Sequence, residues 1–133
     1  MYLAAVELLP EDPYPGGQLV VLINGSGQPV STMCWTVRSA GTGKSGRILV
    51  GKALAPGAYL RLLPEVVLFD SEDTLSLFDA QGQLVDRTPR LTDRARDDRL
   101  WFRQRTGTWT FDRGFPLPPQ VSDGRLVAAT DAC

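Results

Sequence analysis

The 133-residue sequence contains no histidine. That removes Ser-His-Asp and Cys-His catalytic constellations, imidazole zinc ligands and the usual general base near neutral pH. Cysteine is nearly absent as well: Cys34 and Cys133 are too few for a four-ligand structural zinc site. No apolar run approaches the ~20 residues of a membrane-crossing helix. The opening MYLAAVELLPEDPYP lacks a basic stretch followed by a long apolar one, so no secretion signal is read. The chain is therefore expected to be cytoplasmic or an excised domain. No cofactor signature and no catalytic constellation emerge, and the protein is expected not to be an enzyme.

Helix-favouring runs are scarce too. In their place, 13 glycines and 10 prolines are dispersed along the length as turn punctuation between short apolar runs. Residues 2–9 read as a first strand, at an edge, ending at Pro10. Residues 11–17 (EDPYPGG) cannot sit in a ladder, whereas 18–23 (QLVVLI) suit a strand covered on both faces. Residues 30–37 (VSTMCWTV) form the next strand, with Trp35 as the central core aromatic. Further strands fall at 47–50, 59–63, 66–69, 74–78, 84–88, 100–103 and 108–111. Ala55-Pro56-Gly57 has the residues of a type II turn, and Asp79-Ala80-Gln81-Gly82 those of a tight hairpin. About nine short strands at 8–12-residue spacing predict an antiparallel sandwich. Residues 1–118 are assigned to this domain. Residues 119–133 are assigned to a tail that is either disordered or an added edge strand.

Three phrases carry a family resemblance. LAPGAYLRL (54–62), the segment from Asp70 to Asp86, and Trp101 followed by GTWTF (107–111) resemble, in that order, conserved-order phrases of the lamin tail domain. Upstream, 3–10 resembles the family's opening strand and CWTV (34–37) its Gly-Trp-Thr strand. The likeness spans residues 2–118. It implies an immunoglobulin-like antiparallel β-sandwich, a globular interaction or accessory module, and no catalytic residues. Two positions depart from the pattern: QLVVLIN replaces an acidic, aromatic strand, and Cys34 stands where the family has glycine.

Several local features invite a chemical reading. AGTGKS (40–45) mimics a phosphate loop, but the glycine required five residues before Gly43 is Arg38, and the following GRILVG reads as strand rather than helix. Asp70, Glu72 and Asp73 could offer oxygens to a calcium ion but lack the spacing of a calcium loop, and are read as a solvated turn. Cys34, beside Trp35, is read as a buried small hydrophobe and Cys133 as a free, exposed thiol. The alternative, a Cys34–Cys133 bridge, needs the tail to reach the core.

Charge is segregated along the chain. Residues 87–113 hold eight arginines against four acids, a net of +4, while residues 1–86 carry a net of −4. Arg90, Arg94, Arg96, Arg99, Arg103 and Arg105 cluster around RLTDRARDDR (90–99), read as a surface loop or a single helical turn. Arginine's planar fork suits phosphate or carboxylate partners. Trp101 and Phe102 are adjacent and must face opposite sides of a strand, so Trp101 is taken as a contact residue beside these arginines. The acids Asp93, Asp97 and Asp98 lie close enough to neutralise them locally, which is the competing view of the segment.

The functional expectation is a non-enzymatic module that binds a protein or an anionic polymer through this arginine-rich surface. The net charge of −1 argues against tight non-specific nucleic-acid binding. The alternative is a structural domain that forms homodimers through edge strands, or an accessory domain of a larger enzyme. No metal and no cofactor is called for.

Overall fold

Ser45–Leu49 and Tyr59–Pro64 bury alternate side chains, as a strand with one face in a core and one in water must. Tyr2–Glu7 and Leu19–Ile23 instead bury every central residue and are covered on both faces. The computed structural model describes residues 1–9, 18–65, 67–94, 97, 99–113, 115, 121–129 and 133. Among them no helix forms and twelve strands do: β1 (Tyr2–Glu7), β2 (Leu19–Ile23), β3 (Thr36–Ser39), β4 (Ser45–Leu49), β5 (Tyr59–Pro64), β6 (Glu72–Asp73), β7 (Leu75–Phe78), β8 (Leu84–Arg87), β9 (Leu91–Thr92), β10 (Leu100–Arg103), β11 (Trp109–Asp112) and β12 (Ser122–Ala128). The protein is all-β.

Ten of these strands make one sheet in the order β11-β10-β1-β2-β5-β12-β4-β3-β7-β8, and β6 pairs with β9 separately. All neighbours are antiparallel except β5 and β12. The sheet curls until its far end approaches β1: the Leu3 amide donates to Asp86 Oδ2 on β8 at 2.9 Å. The expected two-sheet sandwich is thus replaced by a single strongly curled half-barrel. The reason is β12. Without it the order would fall into five strands on one side and four on the other; pairing with both β4 and β5, it joins them.

The main core fills the concave side and draws on both arms of the curl. Leu3, Val6, Val20, Leu22, Leu60 and Leu62 from β1, β2 and β5 meet Val37, Ile48, Leu75 and Leu77 from β3, β4 and β7. Each such side chain contributes roughly 1.5–3 kcal/mol on burial. A second, smaller cluster of Ala4, Ala5, Val21 and Leu100 lies on the convex side under Phe102, Tyr59 and Phe115. This explains why β1 and β2 bury both faces.

Two buried amides tie loops to this frame. Gln18 Nε2 donates to the Leu8 and Phe69 carbonyls at 3.0 and 2.9 Å, and its Oε1 accepts from the Leu68 and Phe69 amides. Asn24 Nδ2 donates to the Gln28 and Leu54 carbonyls at 2.7 and 2.9 Å. The turns follow the expected chemistry. Gly57 at φ 75° completes a type II turn closed by the Ala58 amide on the Ala55 carbonyl, and Gly82 at φ 81° completes the β7–β8 hairpin.

Other expectations are corrected. β1 is an interior strand, because β10 pairs along its second side. The 30–37 strand shrinks: Val30 makes only an isolated bridge to Leu54, and β3 begins at Thr36. Cys34 interrupts it with a positive φ of 70°. Residues 67–69 form no strand. Trp35 packs against the margin of a largely aliphatic core, not at its centre. The tail is neither disordered nor an edge over 122–128, since β12 lies inside the sheet. Cys133 is not a free thiol. It is disulfide-bonded to Cys34, with Cα atoms 5.8 Å apart, because β12 carries the tail back to the core.

Candidate anion-binding surface

The charge segregation along the chain is largely undone in space. Arg103 on β10 pairs with Asp86 on β8 at 3.0 Å, and Arg90 pairs with Glu72. Both acids come from the negative first part of the sequence. Arg99 pairs with Asp97 at 2.7 Å. Burial pushes the Asp97 carboxyl up, but hydrogen bonds from Arg99 and the charges of Arg99 and Arg113 outweigh it and hold it below its usual range.

Of the expected site residues, Arg99, Trp101 and Arg103 are brought together on one end of the sheet. Arg99 lies over the Phe111 ring at 4.8 Å, and Arg103 is held between Tyr2 and Trp109 at 5.2 and 5.1 Å. Arg103 Nε is buried there without a hydrogen-bond partner among the described residues. Trp101 turns inward against the main core and donates its indole N–H to the Thr92 carbonyl at 3.0 Å. Phe102, facing the other way, is covered by Phe115. Neither ring of the pair is a free platform. Arg90 stands apart, beside the β6–β9 pair. Arg94 and Arg105 are exposed and form no ion pair with a described residue. Arg96 lies outside the described residues.

A second group of arginines, mostly outside the 87–113 segment, remains unneutralised. β3 and β4 pair with Arg38 opposite Ser45 and Thr36 opposite Arg47. Across β7, Arg38 and Arg87 flank Ser76. Val37, Ile48, Leu75 and Leu77 point into the core, so the alternation sends Arg38, Arg47 and Arg87 to the convex face. Arg38 and Arg47 are diagonal neighbours, roughly 7–8 Å apart at Cβ. Arg38 and Arg87 are two strands apart, about 10 Å. Arg87 Nε donates to Ser76 Oγ at 3.0 Å, and none of the three forms an ion pair with a described residue. Exposed Lys44 sits in the β3–β4 connection beside them. The linear charge run hid this group; only the strand register assembles it.

The phosphate-loop mimic has its first five amides committed. Its Ala40, Gly41, Thr42, Gly43 and Lys44 N–H groups donate to the Thr74 carbonyl, Asp73 Oδ1, Ser39 Oγ, the Ser39 carbonyl and Thr42 Oγ1 respectively. Asp73, buried, also accepts from Ser39 Oγ and from the Asp70 and Thr74 amides at 2.9 and 2.8 Å. Its oxygens are committed to N–H and O–H donors, and Glu72 is committed to Arg90. Among the described residues no group of three or more His, Cys, Asp or Glu stands together as metal ligands. No described helix is long and apolar enough to cross a membrane.

No protein-family model matches the chain. No curated protein and no solved structure matches it either.

Proposed function

We propose that the protein is a non-enzymatic interaction module that takes an anionic partner, a polyanion or an acidic protein surface, on the convex face of β4-β3-β7-β8. The observation that carries this reading is the triad Arg38, Arg47 and Arg87: three guanidinium groups on one sheet face without a carboxylate partner among the described residues. A guanidinium left unpaired on a flat strand surface keeps its donors for bidentate contact with carboxylate, sulfate or phosphate oxygens. Arg90, Arg99 and Arg103, each already paired, contribute less than their number in the sequence suggests. Replacing Arg38, Arg47 and Arg87 by Glu is expected to abolish retention on immobilised heparin, whereas replacing Arg90 and Arg99 should leave most of it. Equal losses in the two variants would contradict this placement.

The lamin-tail resemblance is part of the same proposal. The two arms of the curl face each other across one core and, apart from β12, count as the two layers of an immunoglobulin-like sandwich. Cys34 supports it as well. At φ 70° it occupies the left-handed conformation that glycine adopts without strain, at the position where the resemblance places glycine.

A further inference from the structure

β12 is the last of the described strands, yet it lies in the middle of the sheet, and among the described strands it alone hydrogen-bonds to both arms. We propose that the gap it fills between β4 and β5 is a strand-acceptor slot. It takes Ser122–Ala128 of a second copy of this chain when the Cys34–Cys133 disulfide is open.

The slot is specific for one sequence. On its convex side Arg61 grips Asp123 with two hydrogen bonds, 2.7 and 3.1 Å, and Glu65 accepts from Arg125 at 2.6 Å. On its concave side the requirements are steric. A Cβ at position 124 would lie 2.9 Å from Leu62 Cδ2 and 3.4 Å from the Leu49 carbonyl oxygen, so any larger residue forces the buried Leu62 to shift. Two residues on, Leu126 drops into a notch left by Gly46, where a Cβ would lie 2.6 Å from Leu126 Cγ. The slot thus reads Asp-Gly-Arg-Leu in parallel register with β5, and residues 123–126 of this chain supply that order.

The strand is also weakly anchored by packing. Leu126 is its one buried side chain, and the ion pairs are exposed. An open groove of about 650 Å³ borders it, lined by Leu49, Leu63, Pro64 and by Asp123–Arg125 of β12 itself. Beyond its pairing with β4 and β5, the disulfide adds a covalent tether that holds Cys133 beside Cys34 across 99 residues of sequence. A tethered strand competes at high effective concentration against any copy in solution. A dithiol reductant opens that second tether and leaves β12 held near its slot only by the nine-residue connection from β11. One of its thiolates attacks Cys133 Sγ, the S–S bond breaks, and Cys34 leaves as a thiolate that takes a proton. The reductant's second thiolate then displaces Cys133 and departs as a cyclic disulfide, two electrons and two protons having passed to the protein. Exchange of β12 between two copies afterwards preserves every contact named above, which is why such swaps cost little.

The test uses the full chain, oxidised, reduced with dithiothreitol, and as the Cys133→Ser variant. A fluorescent peptide with the sequence of residues 121–132 is titrated into each, and light scattering follows mass against concentration. The proposal expects the peptide to bind the reduced protein and Cys133→Ser at least tenfold more tightly than the oxidised protein. A peptide carrying Gly124→Val should lose at least tenfold. Dimers should grow with concentration in the two open forms only. Absence of peptide binding while the β12 amides stay protected from exchange would overturn it. So would loss of the folded circular-dichroism signal on reduction, because the slot needs the other strands to hold without the disulfide.

Discussion

Asp86 on β8 and Arg103 on β10 meet at 3.0 Å although their strands stand near opposite ends of the sheet's hydrogen-bonding order. The same carboxylate oxygen also accepts the Leu3 amide of β1 at 2.9 Å. One side chain thus closes the curl that the strand register alone would leave open. Both partners are four-fifths covered, with side-chain exposures of 20% each.

That burial separates this pair from the surface ones. Asp86→Ala leaves the Arg103 charge and the Leu3 N–H without their acceptor, and is expected to cost about 2 kcal/mol in urea unfolding. Arg61→Ala, which breaks the exposed pair with Asp123, is expected to cost under about 1 kcal/mol. Equal costs for the two variants would mean that Asp86 does not close the sheet.

Cys34 joins a strained backbone to a covalent link, and the two effects can be separated. Cys34→Gly and Cys34→Ser both lose the disulfide to Cys133. Only the glycine relieves the left-handed φ of 70°. Cys34→Gly is therefore expected to be the more stable variant by about 1 kcal/mol, measured by thermal or denaturant unfolding. A serine variant as stable as the glycine variant would remove the conformational argument, and with it the support that Cys34 lends to the lamin-tail reading.

Glu65 links pH to the seating of β12. A hydrogen bond from Arg125 holds its carboxyl below the usual glutamate range; partial loss of water around it opposes this and the Arg125 charge adds to it. Because the folded value is depressed, the tie is complete above the ordinary glutamate pKa and is lost as pH falls through the lowered one. Carboxyl-carbon NMR should show Glu65 titrating below an exposed glutamate, and Arg125→Ala should return it to the ordinary range. No change in Arg125→Ala would contradict the pairing.

Much of this fold was legible in local chemistry. Pro56-Gly57 and Gly82 mark turns whose geometry backbone sterics dictate, and each stands where its residues placed it. Residues 59–63, read as a strand with Arg61 flanked by leucines, stand in β5. What escaped was non-local. Nothing in SDGRLVA says that it pairs with β4 and β5 together, so the tail read as either disordered or an added edge strand, and the sheet as two layers. Cys133 read as free because its partner lies 99 residues away and only β12 brings it there. Trp35 read as a core centre on size, but the left-handed Cys34 before it leaves it at the core's margin. The arginine run from Arg90 to Arg105 read as a cationic surface because Glu72 and Asp86 lie far off in sequence. The unpaired triad was invisible because Arg38, Arg47 and Arg87 become neighbours only through register.

The account rests most directly on that triad. Binding of a labelled sulfated polyanion, followed by anisotropy from low to physiological salt, tests it in wild type and in Arg38→Glu/Arg47→Glu/Arg87→Glu. If each arginine makes one ionic contact, the wild-type slope of log affinity against log salt should be about −2 to −3. In the triple variant affinity should fall at least tenfold and the slope collapse towards zero, while circular dichroism stays unchanged. A triple variant that binds as tightly as wild type with the same salt slope would contradict the proposed surface.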